Sequence, residues 1–522
     1  MAGKSAFTRR LLSGTVMLAA ASPLMIGTAF AQKDPGLRQD PNTTIGITTS
    51  AGCFIPGLSP DESNFFYKGG GTFAEVDSVK DEGVSGAIDD ASGTTGVPPG
   101  TGKGTFTLCP NQPGQVTGNR ENDGGLGARF NADSCATCHA FPAVGGSSPP
   151  QNPQIELATR DGGNNTVPSF ITATGPTREA RFIHVPGTST PDGGVHDLFT
   201  ISGRADAQSP TVCNIAQPNF AQAVSQNNVI FRIPTPTFGA GLVENVTDTT
   251  LIADSNATAN QAKALGIIFG FFNHVVQDDF NRSGNDGTIT RFGWKAQNKS
   301  LLIFAGEAYN VEQGISNEAF PNEREDDANC QFKAVPNDTT ELVNEANSNS
   351  PAGNFSSDVV QFGGFMRLSA APTAASTGYS TTAGNSVSAA SIARGFTAGF
   401  DPQKGVGCNV CHIPSHKLTA SAFTNLQNQT FAPFSDFSLH GMGTGLQDQV
   451  SQGAANGQQF RSAPLWGVGQ RIFFLHDGRT SDLLTAIEDH KSNGSEANAV
   501  INAFNSLSAG SKQDILNFLR SL

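Results

Sequence analysis

The chain has 522 residues, of which 15% are charged and 37% hydrophobic, with 59 glycines, 29 prolines and a formal net charge of −13. That length exceeds one ordinary core, and that composition excludes both a long-helix protein and a disordered one. The acidic balance argues against a nucleic-acid partner and favours a neutral or basic one. Residues 1–31 read as an export signal: Lys4, Arg9 and Arg10 precede a mostly apolar run, Leu11 to Phe30, broken by Gly14, Pro23 and Gly27. Ala29-Phe30-Ala31 then fits a small-x-small cleavage site, with Gln32 as the new terminus. A membrane anchor is the alternative, but the run is broken and ends in a cleavage-like site. No other apolar run is long enough to span a bilayer, so the expected location is the periplasm.

Residues 32–120 are rich in Gly, Thr, Asp and Pro with weak periodicity, and are expected to form an irregular extension wrapped on the body. Residues 121–335 form a first domain with long loops. Residues 336–390, rich in Ser, Ala, Thr and Asn, read as a linker or surface crossing, and residues 391–522 form a second domain with the clearest helices. One helix is expected from about Ser481 to Lys491, capped by Thr480 or Ser481. Another runs from about Ser511 to Leu522, with Ile515, Phe518, Leu519 and Leu522 on one face.

Each domain carries one C-x-x-C-H motif, Cys135-Ala-Thr-Cys138-His139 and Cys408-Asn-Val-Cys411-His412. On a helical turn, residues three apart share a side, so two thiols can reach the two vinyl groups of one porphyrin. The adjacent histidine then faces the iron as its proximal ligand. A redox dithiol or a zinc knuckle explains a lone C-x-x-C equally well. The immediate histidine, the export signal and the duplication favour two covalently attached c-type haems instead. Four cysteines remain, Cys53, Cys109, Cys213 and Cys330. In an exported chain these suggest up to two disulfides, with neighbour pairing Cys53–Cys109 and Cys213–Cys330 as the working assignment.

The sixth iron ligand decides between electron relay and catalysis, because an open position makes a reactive iron. His490 shares an apolar helical face with Leu483 and Ile487 and is the expected sixth ligand of the second haem. Met442, whose flanking glycines read as a loop near a haem edge, competes for that role, while Met366 reads as core. His184 and His196 follow the first motif and are candidates for its distal side, with a structural role as the alternative for each.

Several segments resemble the bacterial dihaem cytochrome c peroxidase superfamily, in particular its dihaem oxidoreductase, thiol-oxidoreductase-like branch. They are Gly127–His139, Phe231–Val246, Arg291–Ala296, Asn310–Gly314, Phe434–Gly443 and Ala463–His490. The resemblance implies a mainly α fold of two cytochrome-c-like haem domains, the first haem reacting with peroxide and the second storing electrons. It places His476, Asp477 and Gly478 in the second haem pocket. It sets His490 where many peroxidases carry a methionine, which would lower that haem's potential. It aligns Glu312 with a catalytic carboxylate that shuttles a proton between peroxide oxygens. The accompanying glutamine is missing, with Phe304 and Ala305 near its place. Trp294 falls where the family holds an inter-haem tryptophan, and Trp466 is a weaker candidate. Calcium between the domains is a family feature, for which Asp279, Asn281, Asn285, Asp286 and Gly287 could supply oxygens, though a plain polar turn reads as well.

The function expected is a dihaem, peroxidase-like oxidoreductase. A small redox protein or another donor would supply the electrons, and peroxide or another oxygen species would be the substrate. A dihaem oxygenase or protein-modifying oxidase on the same scaffold is the alternative, and a non-enzymatic electron carrier is the third reading.

Overall fold

A computed structural model describes residues 32–39, 53–77, 126–158, 165–203, 209, 211–267, 270–275, 287–325, 327–331, 336–340, 356–419, 421 and 426–522. Residues 1–31, read above as an export signal, Cys109, and residues 279–286 of the candidate calcium segment lie outside these residues. The fold is mainly helical. Its strands are short and pair as two-stranded antiparallel ladders, such as Glu179–Phe182 with Val229–Arg232 and Leu439–Gly441 with Gln459–Arg461. No helix among the described residues is long and apolar enough to cross a membrane.

Two segments depart from the sequence expectation. Within the stretch expected to be irregular, Pro60–Phe73 is a 14-residue helix. Its start is a reciprocal capping box: the Glu62 amide donates to Ser59 Oγ (3.3 Å), and the Ser59 amide donates to Glu62 Oε2 (2.7 Å). Pro60 sits at the first turn, where its missing N–H costs nothing. The helix crosses Asp358–Leu368, a second helix, lying inside the expected linker and buried along most of its length. A Cβ on Gly69 would stand 2.4 Å from the Gln361 carbonyl oxygen, so the glycine is what lets the backbones touch. Weak periodicity concealed both helices because glycine lowers apparent amphipathicity while enabling close packing.

At the C-terminal end, the expected Ser481–Lys491 helix is shorter, Leu483–Glu488. Its cap is Asp482 rather than Thr480 or Ser481: Asp482 Oδ1 accepts from the Thr485 amide at 2.7 Å. The last helix runs Ala509–Leu519 from a Ser508 cap and packs against Ala389–Phe400. Asn498–Ser506 is a further helix that the sequence reading did not separate. The segment 32–39 is tied to this end by an ion pair between Asp34 and Arg520 (2.6 Å), nearly buried on both sides.

Three larger apolar clusters organise the interior. The first joins Phe66, Phe73, Phe362, Phe365, Leu301 and Tyr309. The second joins Phe400, Phe434, Leu483, Phe504, Ile515 and Phe518. The third joins Phe130, Leu157, Phe182, Phe199 and Phe220. Cys213 and Cys330 are disulfide-bonded with their Cα atoms 4.8 Å apart, as expected. Cys53 is also disulfide-bonded.

Candidate haem sites

Both C-x-x-C-H motifs fold into the same kind of turn. Cys135–Cys138 is a single helical turn capped by Ser134, and the His139 amide donates back to the Cys135 carbonyl at 3.0 Å. Cys408–Val410 is a 3-10 turn, and the His412 amide donates to the Cys408 carbonyl at 2.9 Å. In neither motif are the cysteines disulfide-bonded. Burial pushes the Cys135 and Cys138 thiols well up, and the Cys408 thiol up to about 12. Among the described residues no group of three or more His, Cys, Asp or Glu side chains is arranged to hold a bare metal ion.

The histidines are set alike. His139 Nδ1 lies 3.0 Å from the Gly146 carbonyl, and His412 Nδ1 lies 2.9 Å from that of Phe434. His490 Nδ1 lies 2.7 Å from the Ala486 carbonyl. A carbonyl only accepts, so each Nδ1 carries the proton. Burial lowers His139 and His412 to about 4 and lowers His490 as well, so all three rings are neutral near pH 7. A neutral ring with its proton on Nδ1 has its lone pair on Nε2, the state an iron needs. His490 also acts electrostatically on His412, which places the two rings in one neighbourhood.

The surroundings of the motifs differ. Cys135 packs on the first apolar cluster and Cys138 on the third, so the first motif lies on a seam between two cores. At that seam is a cavity of about 440 Å³, walled by Cys135, Cys138, His139 and Met366 among others. Cys408 and Cys411 both pack on the second cluster, together with Ile487. Cys411 Sγ additionally lies 3.6 Å from His440 Nδ1, and His440 is held between Asp436 and Glu496, each at 3.0 Å.

The helix Leu301–Gln313 presents Phe304, Ala305, Glu307 and Glu312 to the cavity. It stops at Gly314, whose φ of 72° is cheap only for glycine. Glu312 therefore lies on a helix against the first motif. Asn131 Nδ2 donates to it at 3.0 Å, and it shares a hydrogen bond with Glu179. Glu179 is bound by Arg181 at 2.7 Å. Burial and the Glu179 charge push the Glu312 carboxyl well up, so it keeps its proton. Burial works against ionisation of Glu179 too, but Arg181 prevails and holds it below the usual range.

Trp294 is buried in the same wall, its Nε1 donating to the Ile233 carbonyl at 2.9 Å. His476 meets it edge-on at 6.3 Å and stacks on Phe460 at 4.4 Å. Met442 packs on this aromatic cluster. Trp466 lines a smaller neighbouring chamber. Neither His184 nor His196 lines the cavity: His196 stacks on Phe182 at 3.7 Å and binds Asp192, as a structural histidine does. Met366, expected as core, is buried but also faces the cavity. The Gly287 carbonyl, one of the proposed calcium oxygens, accepts from Lys299 Nζ.

The sequence reading missed Glu179, Arg181, Arg232, Gln297 and Glu307, all in the cavity wall. Glu179 and Arg181 alternate on one strand, Glu179–Phe182, so they share a face. That alternation was the signal available, and it is too short to stand out.

Residues 188–522 match the family described as "Di-haem oxidoreductase, putative peroxidase". The chain belongs to this family. The match begins after the first motif and includes the second. No curated protein matches the chain. Among solved structures, a chain of Kuenenia stuttgartiensis hydrazine synthase, pressurised with xenon, is similar at 17% identity over 33% of this chain. This chain spans 59% of that chain's length, and the TM-score is 0.20.

Proposed function

We propose that the protein is a periplasmic oxidoreductase with two c-type haems, one joined to Cys135 and Cys138 with His139 as ligand, the other to Cys408 and Cys411 with His412 and His490. Peroxide or another oxygen species reacts at the first, and electrons from a small redox protein enter through the second. Each haem, when bound, supplies an iron that exchanges one electron at a time. The observation that carries the reading is the contrast in surroundings. His139 borders a 440 Å³ cavity with a protonated carboxyl in its wall, whereas Cys408 and Cys411 pack on a single apolar cluster that also takes Ile487, three residues before His490.

Reduction of one peroxide to two waters consumes two electrons and two protons. Glu312 holds a proton at its carboxyl and can give it to the departing oxygen. Glu179, kept ionised by Arg181, orients that carboxyl through their shared hydrogen bond. Trp294 lies in the cavity wall and touches His476, a residue of the H-D-G segment, and so offers an aromatic path towards the second site. His476 is neutral, lowered to about 4 by burial, and serves as packing for that path rather than as a base.

The spectrum of the loaded protein tests the assignment. One high-spin and one low-spin iron, with peroxide consumed at the expense of a reduced small cytochrome, is the expected result. Two low-spin irons without peroxide turnover would leave an electron carrier.

A further inference from the structure

Beside the large cavity lies a chamber of about 60 Å³. It shares six wall residues with that cavity: Thr235, Thr237, Gly293, Trp294, Phe304 and Met366. Its wall also holds Arg461 and Arg471, and contains no carboxylate.

Arg461 is 7% exposed, and its Nε donates to the Gly293 carbonyl at 3.0 Å. Arg471 Nε and Nη2 are buried without a hydrogen-bond partner, and its guanidinium stands 5.6 Å from the Trp294 ring centre. The two cations repel each other, which adds to burial in lowering Arg461 to about 10. Burial alone brings Arg471 to the same value. Both therefore remain charged at neutral pH.

Three of the four arginines in the wall of the large cavity present a contrast. Arg181 binds Glu179, Arg232 binds Asp448 at 2.8 Å, and Arg324 binds Asp197 at 2.6 Å. The fourth, Arg178, lies 5.0 Å over the Phe231 ring with its Nε buried and unpartnered, but it stands alone rather than beside a second cation. The protein neutralises the other three itself. Two adjacent buried guanidinium groups without a carboxylate are costly unless an anion meets them. A guanidinium is also a fork shaped for a carboxylate. The chamber is about the size of one carboxylate arm and shares part of its wall with the large cavity.

We infer that Arg461 and Arg471 together receive a propionate carboxylate of the first haem, beside Trp294. This rests on the reading of the cavity as a haem site and adds the orientation of that haem: one propionate edge turns to Trp294 and the second half of the chain. The positive pair then favours the reduced iron, which carries one charge fewer.

Redox titration of the loaded protein, with the high-spin and low-spin bands followed separately, tests this. Haem content by intact mass comes first. A wild-type chain lacking a haem on Cys135 and Cys138 overturns the cavity reading, and this inference with it. With both haems present, Arg471→Gln and Arg461→Gln should each shift the ferric-to-ferrous ratio of the first haem on the order of tenfold towards ferric, about 59 mV for one electron. Arg471→Lys keeps the charge but loses the fork, so it should retain most of the potential while its propionate-bending Raman band moves. That milder variant decides the matter if the Gln variants fail to fold. A shift confined to the second haem overturns the assignment to the first. Unchanged potentials and an unchanged Raman band overturn it as well, leaving a small free anion or water in the chamber.

Discussion

The two C-x-x-C-H turns are nearly the same object in two settings. Each closes with a histidine amide bonded back to the first cysteine's carbonyl, and each fixes its histidine through Nδ1 on a neighbouring carbonyl. The first turn straddles two apolar clusters and faces a cavity, whereas the second lies on one cluster, with His490 nearby. The seam between the two clusters is left open at that motif. The two motifs therefore differ in what is packed opposite them, not in the turn itself.

The comparison breaks most severely if the cysteines are exchanged in pairs. Cys135→Ala with Cys138→Ala should remove one haem and abolish peroxide turnover. Cys408→Ala with Cys411→Ala should remove the other haem and slow electron delivery, with the high-spin signal retained. Haem counting by mass and single-turnover kinetics check both. Turnover that survives loss of the first haem would reverse the assignment of the two sites.

The next test makes the second site resemble the first. His490→Ala should open the second iron, so a new high-spin signal appears as the low-spin signal fades. His490→Met should keep six ligands where the sulfur reaches, and raise the potential. A low-spin spectrum unchanged in His490→Ala would point to another ligand, with Met442 and His440 the first to examine.

A smaller change removes only the acid of the first site. Glu312→Gln should lower turnover by about a hundredfold with both haems retained. If Glu312 is the proton donor, its working form is the protonated one, and because its pKa is raised the wild-type rate should be full at low pH and fall as pH rises through that pKa. The Gln variant should lack this alkaline limb, which a pH profile of turnover would reveal.

The smallest effect concerns the charged wall behind the first site. Lys295 Nζ binds Asp448 at 3.0 Å and sits 4.0 Å over the Phe460 ring. Burial lowers it to about 8, against 10.5 for an unrestrained lysine. Between these values the unfolded chain binds more protons than the folded one, so this group makes stability rise as pH increases from about 8 to 10.5. The rise should be about 1–3 kcal/mol in urea unfolding, and Lys295→Met should lack it.

The sequence by itself determined the features that short-range spacing controls. Cys135, Cys138 and His139, and likewise Cys408, Cys411 and His412, had to share a turn side because three residues make about one helical turn. Leu483 on the buried side of a short helix was legible as well, although that helix stops at Glu488, before His490. The count of leftover cysteines implied disulfides but left their pairing open, and the fold set Cys213 against Cys330. The capping box of Ser59 and Glu62 was equally local, and legible, although the glycine run behind it hid the helix. Tertiary structure alone decided which surfaces meet. It brought Glu179, from a strand some 130 residues before Glu312, against that carboxyl, so that one holds a proton and the other does not. It set Arg461 beside Arg471 without a carboxylate, and it left a cavity against one motif while packing the other on a single core. These outcomes depend on desolvation and on contacts between distant segments, and neither leaves a periodic trace along the chain.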